Sequence, residues 1–159
     1  MKSSTEIKKI AKETIALEAE AIKGLERAIN DNFVKVIDLI LNAKGRLIVA
    51  GIGKSANIAN KIAATFNSTG QPAVFLHAAD AIHGDLGNIQ KEDVVICISK
   101  SGNTPEIKAL LPFIKNMGNA IIALTGNMDS FLAKEANFAL DVSVEKEACP
   151  NNLAPTSST

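Results

Sequence analysis

The chain has no tryptophan and no tyrosine, and six phenylalanines make up its entire 4% aromatic content. That scarcity removes the aromatic platforms on which proteins stack nucleic-acid bases. An excess of charge of one sign is also missing: 17 Lys and Arg balance 17 Asp and Glu. Without a basic field there is no electrostatic footprint for nucleic acid, and without a basic stretch none for a membrane surface. No apolar run reaches the roughly 18 residues of a membrane span. The opening, Met1 to Lys12, is polar and lysine-rich, so no secretory signal is read there and a cytoplasmic location is expected.

Cysteine and histidine are scarce, with two of each. Cys97 sits inside an apolar run and reads as a small core residue. Cys149 lies in a loop beside Pro150 with no histidine near it in sequence, so neither a disulfide nor a nucleophilic thiol is expected. His77, Asp80, His83 and Asp85 are metal-ligand types without a recognised ligand spacing. No metal and no cofactor is expected.

The 159 residues suit one domain with a real core. Apolar residues recur at helical spacing from about Ser3 to Asn30 and again from Phe33 to about Asn42, where Gly45 is expected to end the helix. From Arg46 onward short apolar runs alternate with helical patterns. The runs are Arg46–Ala50, Ala73–Leu76, Asp93–Ser99, Ala120–Thr125 and Phe138–Ser143. Runs without polar alternation fit strands buried on both faces, hence an α/β fold with a parallel sheet and helices on each side. The expected strand order is 2-1-3-4-5, with right-handed crossovers. Its direction reverses between the first and third strands, and a ligand binds outside the carboxyl ends at that point.

Two turns open on that place. Gly51-Ile52-Gly53-Lys54-Ser55 follows the first strand, and Ser99-Lys100-Ser101-Gly102-Asn103-Thr104 follows the third. The first lacks the four-residue spacer of a Walker A loop, and Ala56 replaces the third glycine of a dinucleotide fingerprint. Each turn instead brings hydroxyls to a helix start, where free N–H groups attract a phosphate. Ser99, Ser101 and Thr104 read as phosphate ligands or as ordinary helix caps. The tail, Pro155-Thr156-Ser157-Ser158-Thr159, looks like a third anion-binding helix start.

With these segments assembled, the chain resembles the SIS (sugar isomerase) domain family, and within it the isomerase domain of the D-arabinose 5-phosphate isomerases. The matching residues are Gly51–Ser55, Ala63–Phe66 with Ser68–Gly70, His83-Gly84-Asp85-Leu86-Gly87, Ser99–Gly102, Lys146–Pro150 and Leu153–Thr159. The resemblance implies a flavodoxin-like three-layer αβα domain over 1–159, with a helical segment at 1–44 and an α/β core at 45–159. It implies interconversion of D-ribulose 5-phosphate and D-arabinose 5-phosphate through an enediol, serving Kdo and lipopolysaccharide synthesis. It also implies a homotetramer with a sugar phosphate as partner and no redox cofactor. Family members continue into a His-Pro-Gly-Gly segment and a pair of CBS modules, so the chain is expected to be a truncated form.

The resemblance assigns Glu147, Glu106, His83 and Lys54 to catalysis. Gly53, Ser55, Ser99, Ser101, Gly102, Thr104, Thr156, Ser157 and Ser158 are the expected phosphate and substrate ligands. Isomerisation needs a base, and a carboxylate serves if burial raises its pKa; Glu147 is the first choice. Glu106 has a simpler alternative, since the dipole favours an acid in a helix's first turn. Lys54 is mildly unfavourable at a helix start, which argues for a functional reason. Lys100 and Asn103 stand where Asn and Glu are more usual in the family, and little consequence is expected. The competing functions are a phosphosugar-binding sensor, which needs no base, and a module that only oligomerises and binds ligand.

Overall fold

Five apolar runs become five parallel strands in the computed structural model, which describes residues 2–158. They are β1 (Leu47–Gly51), β2 (Ala73–His77), β3 (Val94–Ile98), β4 (Ala120–Thr125) and β5 (Phe138–Asp141). The sheet order is β2-β1-β3-β4-β5, as the patterning predicts. The helices are α1 (Ser4–Gly24), α2 (Asp31–Leu41), α3 (Lys54–Ser68), α4 (Ala78–Ile82), α5 (Pro105–Met117) and α6 (Phe131–Glu135).

Alternate strand residues feed two cores, which explains why the strands carry no polar alternation. Leu47 and Val49 of β1 join Val36 of α2 and Ala59 and Ala63 of α3 on one face. Ile48 and Ala50 join Ile107, Leu110, Leu111 and Ile114 of α5 and Leu132 of α6 on the other. The result is three layers, αβα. The small residues Ala59 and Ala63 let α3 lie close against the sheet.

Helix ends follow local chemistry. Ser3 and Glu6 form a reciprocal capping box at α1. Asn30 accepts from the N–H groups of Asn32 and Phe33, so the polar Asn30-Asp31-Asn32 break is the cap of α2. The first helix is shorter than its apolar pattern: α1 ends at Gly24 and a 3-10 turn covers Leu25–Ala28. Gly45 does not end α2, which is capped at Asn42. Gly45 has a different task, because a Cβ there would stand 2.4 Å from the Glu92 carbonyl oxygen. No helix among the described residues is long and apolar enough to cross a membrane.

The two edges of the sheet differ. At the amino ends of the strands, Asp93 is buried and accepts from the Arg46 N–H at 2.8 Å, the Arg46 guanidinium at 2.7 Å and the Gln90 N–H at 2.9 Å. Asn119 donates to the Gln90 and Asp93 carbonyls at 2.7 and 2.8 Å. That edge is closed by these polar contacts, with the buried Asn119 Oδ1 left without a partner among the described residues. The carboxyl edge is left open, and the candidate site lies there.

Candidate active site

The β1–α3 turn is shaped by two glycines. A Cβ on Gly51 would lie 2.8 Å from the Ser55 carbonyl, so the first turn of α3 presses directly on the strand end. Gly53 holds φ +58° with ψ −127°, a region open to glycine and strained for other residues. α3 and α5 both begin without a side-chain cap, whereas α1, α2 and α6 each have one. The hydroxyls of Ser55 and Thr104 are therefore not spent on capping, whereas Ser99 and Ser101 each accept from a backbone N–H of their own turn.

The β3–α5 turn is an ordered arc. Ser99 is buried, and its Oγ sits 2.8 Å from Thr104 Oγ1. Ser101 Oγ accepts from the Asn103 N–H at 3.2 Å, which leaves the Ser101 hydroxyl proton available outward. Ser55, Ser99, Lys100, Ser101 and Thr104 line one hollow of about 460 Å³ at the reversal point of the sheet. A second hollow, also about 460 Å³, lies beside it and is lined by Lys54, Ser55, Lys100, Pro155 and Ser158 among others. Ser55, Ile98 and Lys100 border both.

Gly102 departs from its expected part as a phosphate ligand. Its N–H donates to the Ser99 carbonyl at 3.0 Å and the Ser99 hydroxyl at 3.1 Å, so this amide closes the turn. It holds φ +62°.

Glu147 is the most enclosed charged group at this edge, with its side chain 2% exposed. Its Oε1 accepts from Lys100 Nζ and the Ser158 hydroxyl. Its Oε2 accepts from the Thr156 N–H at 2.8 Å, the Thr156 hydroxyl at 3.0 Å and the Ser158 N–H at 3.3 Å. Burial alone would raise this carboxyl. The Lys100 ammonium, the Ser158 hydroxyl and the two amides outweigh it and hold the pKa well below the ordinary carboxylate range. The expected elevation towards neutrality is therefore corrected.

In the tail, residues 156–158 form a bend and a turn. Thr156 spends its hydroxyl and amide on Glu147, and Ser157 Oγ is buried without a partner among the described residues. Ser158 serves Glu147 while bordering the second hollow. Thr159 lies outside the described residues. His83 is exposed at the end of α4, and Glu106 is half-buried in the first turn of α5. Neither lines a hollow. Lys100, from which little was expected, is the residue that joins the phosphate-type hollow to Glu147. Among the described residues no three His, Cys, Asp or Glu side chains gather as a metal-ligand set.

The model of the SIS domain matches residues 39–159. The chain belongs to the SIS domain family. This SIS chain is 54% identical over 149 residues to the arabinose 5-phosphate isomerase KdsD of Pseudomonas aeruginosa, covering 94% of the chain and 46% of that protein. It is 47% identical over 149 residues to the arabinose 5-phosphate isomerase KpsF of Escherichia coli O6:H1, covering 93% of the chain and 46% of that protein. The SIS chain thus spans about half the length of the curated relatives it matches. Among solved structures, c3406 of Escherichia coli CFT073 in complex with arabinose 5-phosphate superposes with a TM-score of 0.94 at 39% identity. That match covers 99% of this chain and 84% of the other.

Proposed function

We propose that this SIS chain carries the isomerase domain of an arabinose 5-phosphate isomerase, interconverting D-ribulose 5-phosphate and D-arabinose 5-phosphate through an enediol. The observation that carries this reading is the hollow at the reversal point, where two uncapped helix starts bring Ser55, Ser99, Ser101 and Thr104 together, with Lys54 in the adjoining hollow and Glu147 bonded to the lining residues Lys100 and Ser158. Neutral hydroxyls and amides take the phosphate. The sugar extends into the second hollow, where Lys54 steadies the oxygen that gains charge in the enediolate. A carboxylate moves the proton between C1 and C2, and Glu147 is the base. The family resemblance alone gives Glu106 and His83 roles here, as a second carboxylate and a ring-opening group, since neither borders the two hollows. The identity to relatives named arabinose 5-phosphate isomerase supports the substrate, as does the sugar-phosphate complex of the similar structure.

The KdsD and KpsF relatives support a place in Kdo and lipopolysaccharide synthesis, and a cytoplasmic location goes with that reading. A homotetramer fits the apolar residues that α1 and α2 leave exposed, among them Ile7, Ile15, Ile22, Val34 and Leu41.

The test is hydrogen exchange at carbon. The chain is incubated with D-ribulose 5-phosphate in heavy water, and the C1 proton is followed by NMR. The expected result is its loss to solvent deuterium. Binding without exchange would overturn the enzyme reading in favour of a phosphosugar sensor or a ligand-binding oligomerisation module.

A further inference from the structure

Lys100 borders both hollows, as Ser55 and Ile98 do, and it alone of the three also bonds to Glu147. Its backbone is pinned: its carbonyl accepts from the Gly126 N–H at 3.0 Å and from the Thr125 hydroxyl at 3.4 Å. Its side chain is 59% exposed, while the carboxylate it pairs with is 2% exposed. The pair therefore joins a fixed, enclosed anion to a cation on a flexible stem that reaches solvent. The anion is boxed by Thr156 and Ser158, which donate two amides and two hydroxyls to it. If one partner moves, it is the lysine.

We propose that Lys100 is a positioning residue shared between Glu147 and the substrate's phosphate, so that phosphate capture draws the ammonium away and frees the Glu147 carboxylate to take the proton. The proposal rests on the isomerase reading for the meaning of that release, but the sharing itself concerns only an anion and two side chains. A phosphate dianion among Ser55, Ser99, Ser101 and Thr104 competes for Lys100 with a single carboxylate charge. Once the ammonium turns to phosphate, Glu147 keeps neutral donors alone against the burial that raises its pKa. Its basicity then rises when substrate is in place. The other cation bordering this space is Lys54 at the start of α3, and it stays on the sugar side.

The experiment is a phosphorus-31 NMR titration of inorganic phosphate into the 159-residue chain and its variants. Glu147→Gln removes the competitor, so phosphate binds several-fold more tightly than to the wild type. Lys100→Met in the Glu147→Gln background reverses that gain and weakens binding about tenfold, the value of one charge-assisted hydrogen bond. The gain from Glu147→Gln survives at high salt, because a direct contact is screened less than a distant charge. Unchanged or weaker binding in Glu147→Gln, or a double variant as tight as the single, overturns the proposal. If Glu147→Gln fails to fold, Lys100→Met alone decides: a tenfold loss supports sharing, and wild-type affinity reduces Lys100 to a latch on Glu147. In the C1 exchange assay, Lys100→Met raises KM while kcat is retained, because Glu147 is then already free of the ammonium, and Lys100→Arg restores KM. Failure of exchange in the wild type overturns the isomerase reading and leaves the phosphate titration to judge Lys100 separately.

Discussion

Gly102 and Ser130 approach so closely that a Cβ on Gly102 would stand 2.0 Å from the Ser130 hydroxyl oxygen. The same Ser130 caps α6 through the Ala133 N–H. One glycine thus holds the β3–α5 arc against the start of α6, at a positive φ that a side chain resists. Gly102→Ala combines a clash with backbone strain and costs about 2 kcal/mol or more. Urea denaturation reads that loss, and phosphate affinity falls with it because Ser99 and Ser101 flank the residue. Wild-type stability in this variant would contradict the packing described.

Ser101→Ala separates binding from folding. The Ser101 hydroxyl lines the hollow and is exposed, so its loss leaves the core untouched. Inorganic phosphate binding weakens by about 1 kcal/mol, roughly fivefold. Calorimetric titration checks it, and unchanged affinity removes Ser101 from the site.

The closed edge makes a pH prediction. Burial would raise the Asp93 carboxyl, but the Arg46 side chain and the Gln90 and Arg46 amides hold it below its ordinary value. A depressed carboxylate stabilises the fold above its unfolded pKa of about 3.9, and the contribution is lost as pH falls through the folded value. Asp93→Asn therefore costs about 2 kcal/mol near neutrality, the low side for a buried pair because Arg46 is partly exposed. The gap between wild type and variant narrows below about pH 4. Equilibrium unfolding across pH checks this; a gap that widens in acid would reverse the sign.

Glu147 makes a second pH prediction, at the tail. Its carboxyl is depressed, so it anchors Thr156 and Ser158 through the whole neutral range and releases them only in acid, below the ordinary value of about 4.3. Amide hydrogen exchange at Thr156 reads the anchor. Protection that disappears between pH 6 and 7 would mean a raised pKa and would contradict the ion pair with Lys100.

The sheet was readable because its cause is local. Each strand is a short apolar run, and two-sided burial leaves no alternation to confuse with a half-exposed strand. The paired turns after Gly53 and Ile98 were readable too, since parallel topology sends both to one edge. What escaped the sequence spans long separations. Lys100 and Glu147 are 47 positions apart, and their pairing depends on the path of the chain after β5. Spacing carries no trace of that path. The same path turns Thr156 and Ser158 onto Glu147 and makes the carboxylate acidic, where burial considered alone points the other way. Gly102 reads as a free amide beside a phosphate until its N–H is seen bonded to Ser99. Gly45 reads as a helix stop until the Glu92 backbone is seen against it.

The most direct measurement is a crystal structure of the chain with D-arabinose 5-phosphate. The account predicts phosphate density ringed by Ser55, Ser99, Ser101 and Thr104, with the sugar running towards Lys54 and Glu147 and the Lys100 ammonium turned to the phosphate. Phosphate bound away from the reversal point of the sheet, or a sugar running away from Glu147, would contradict it.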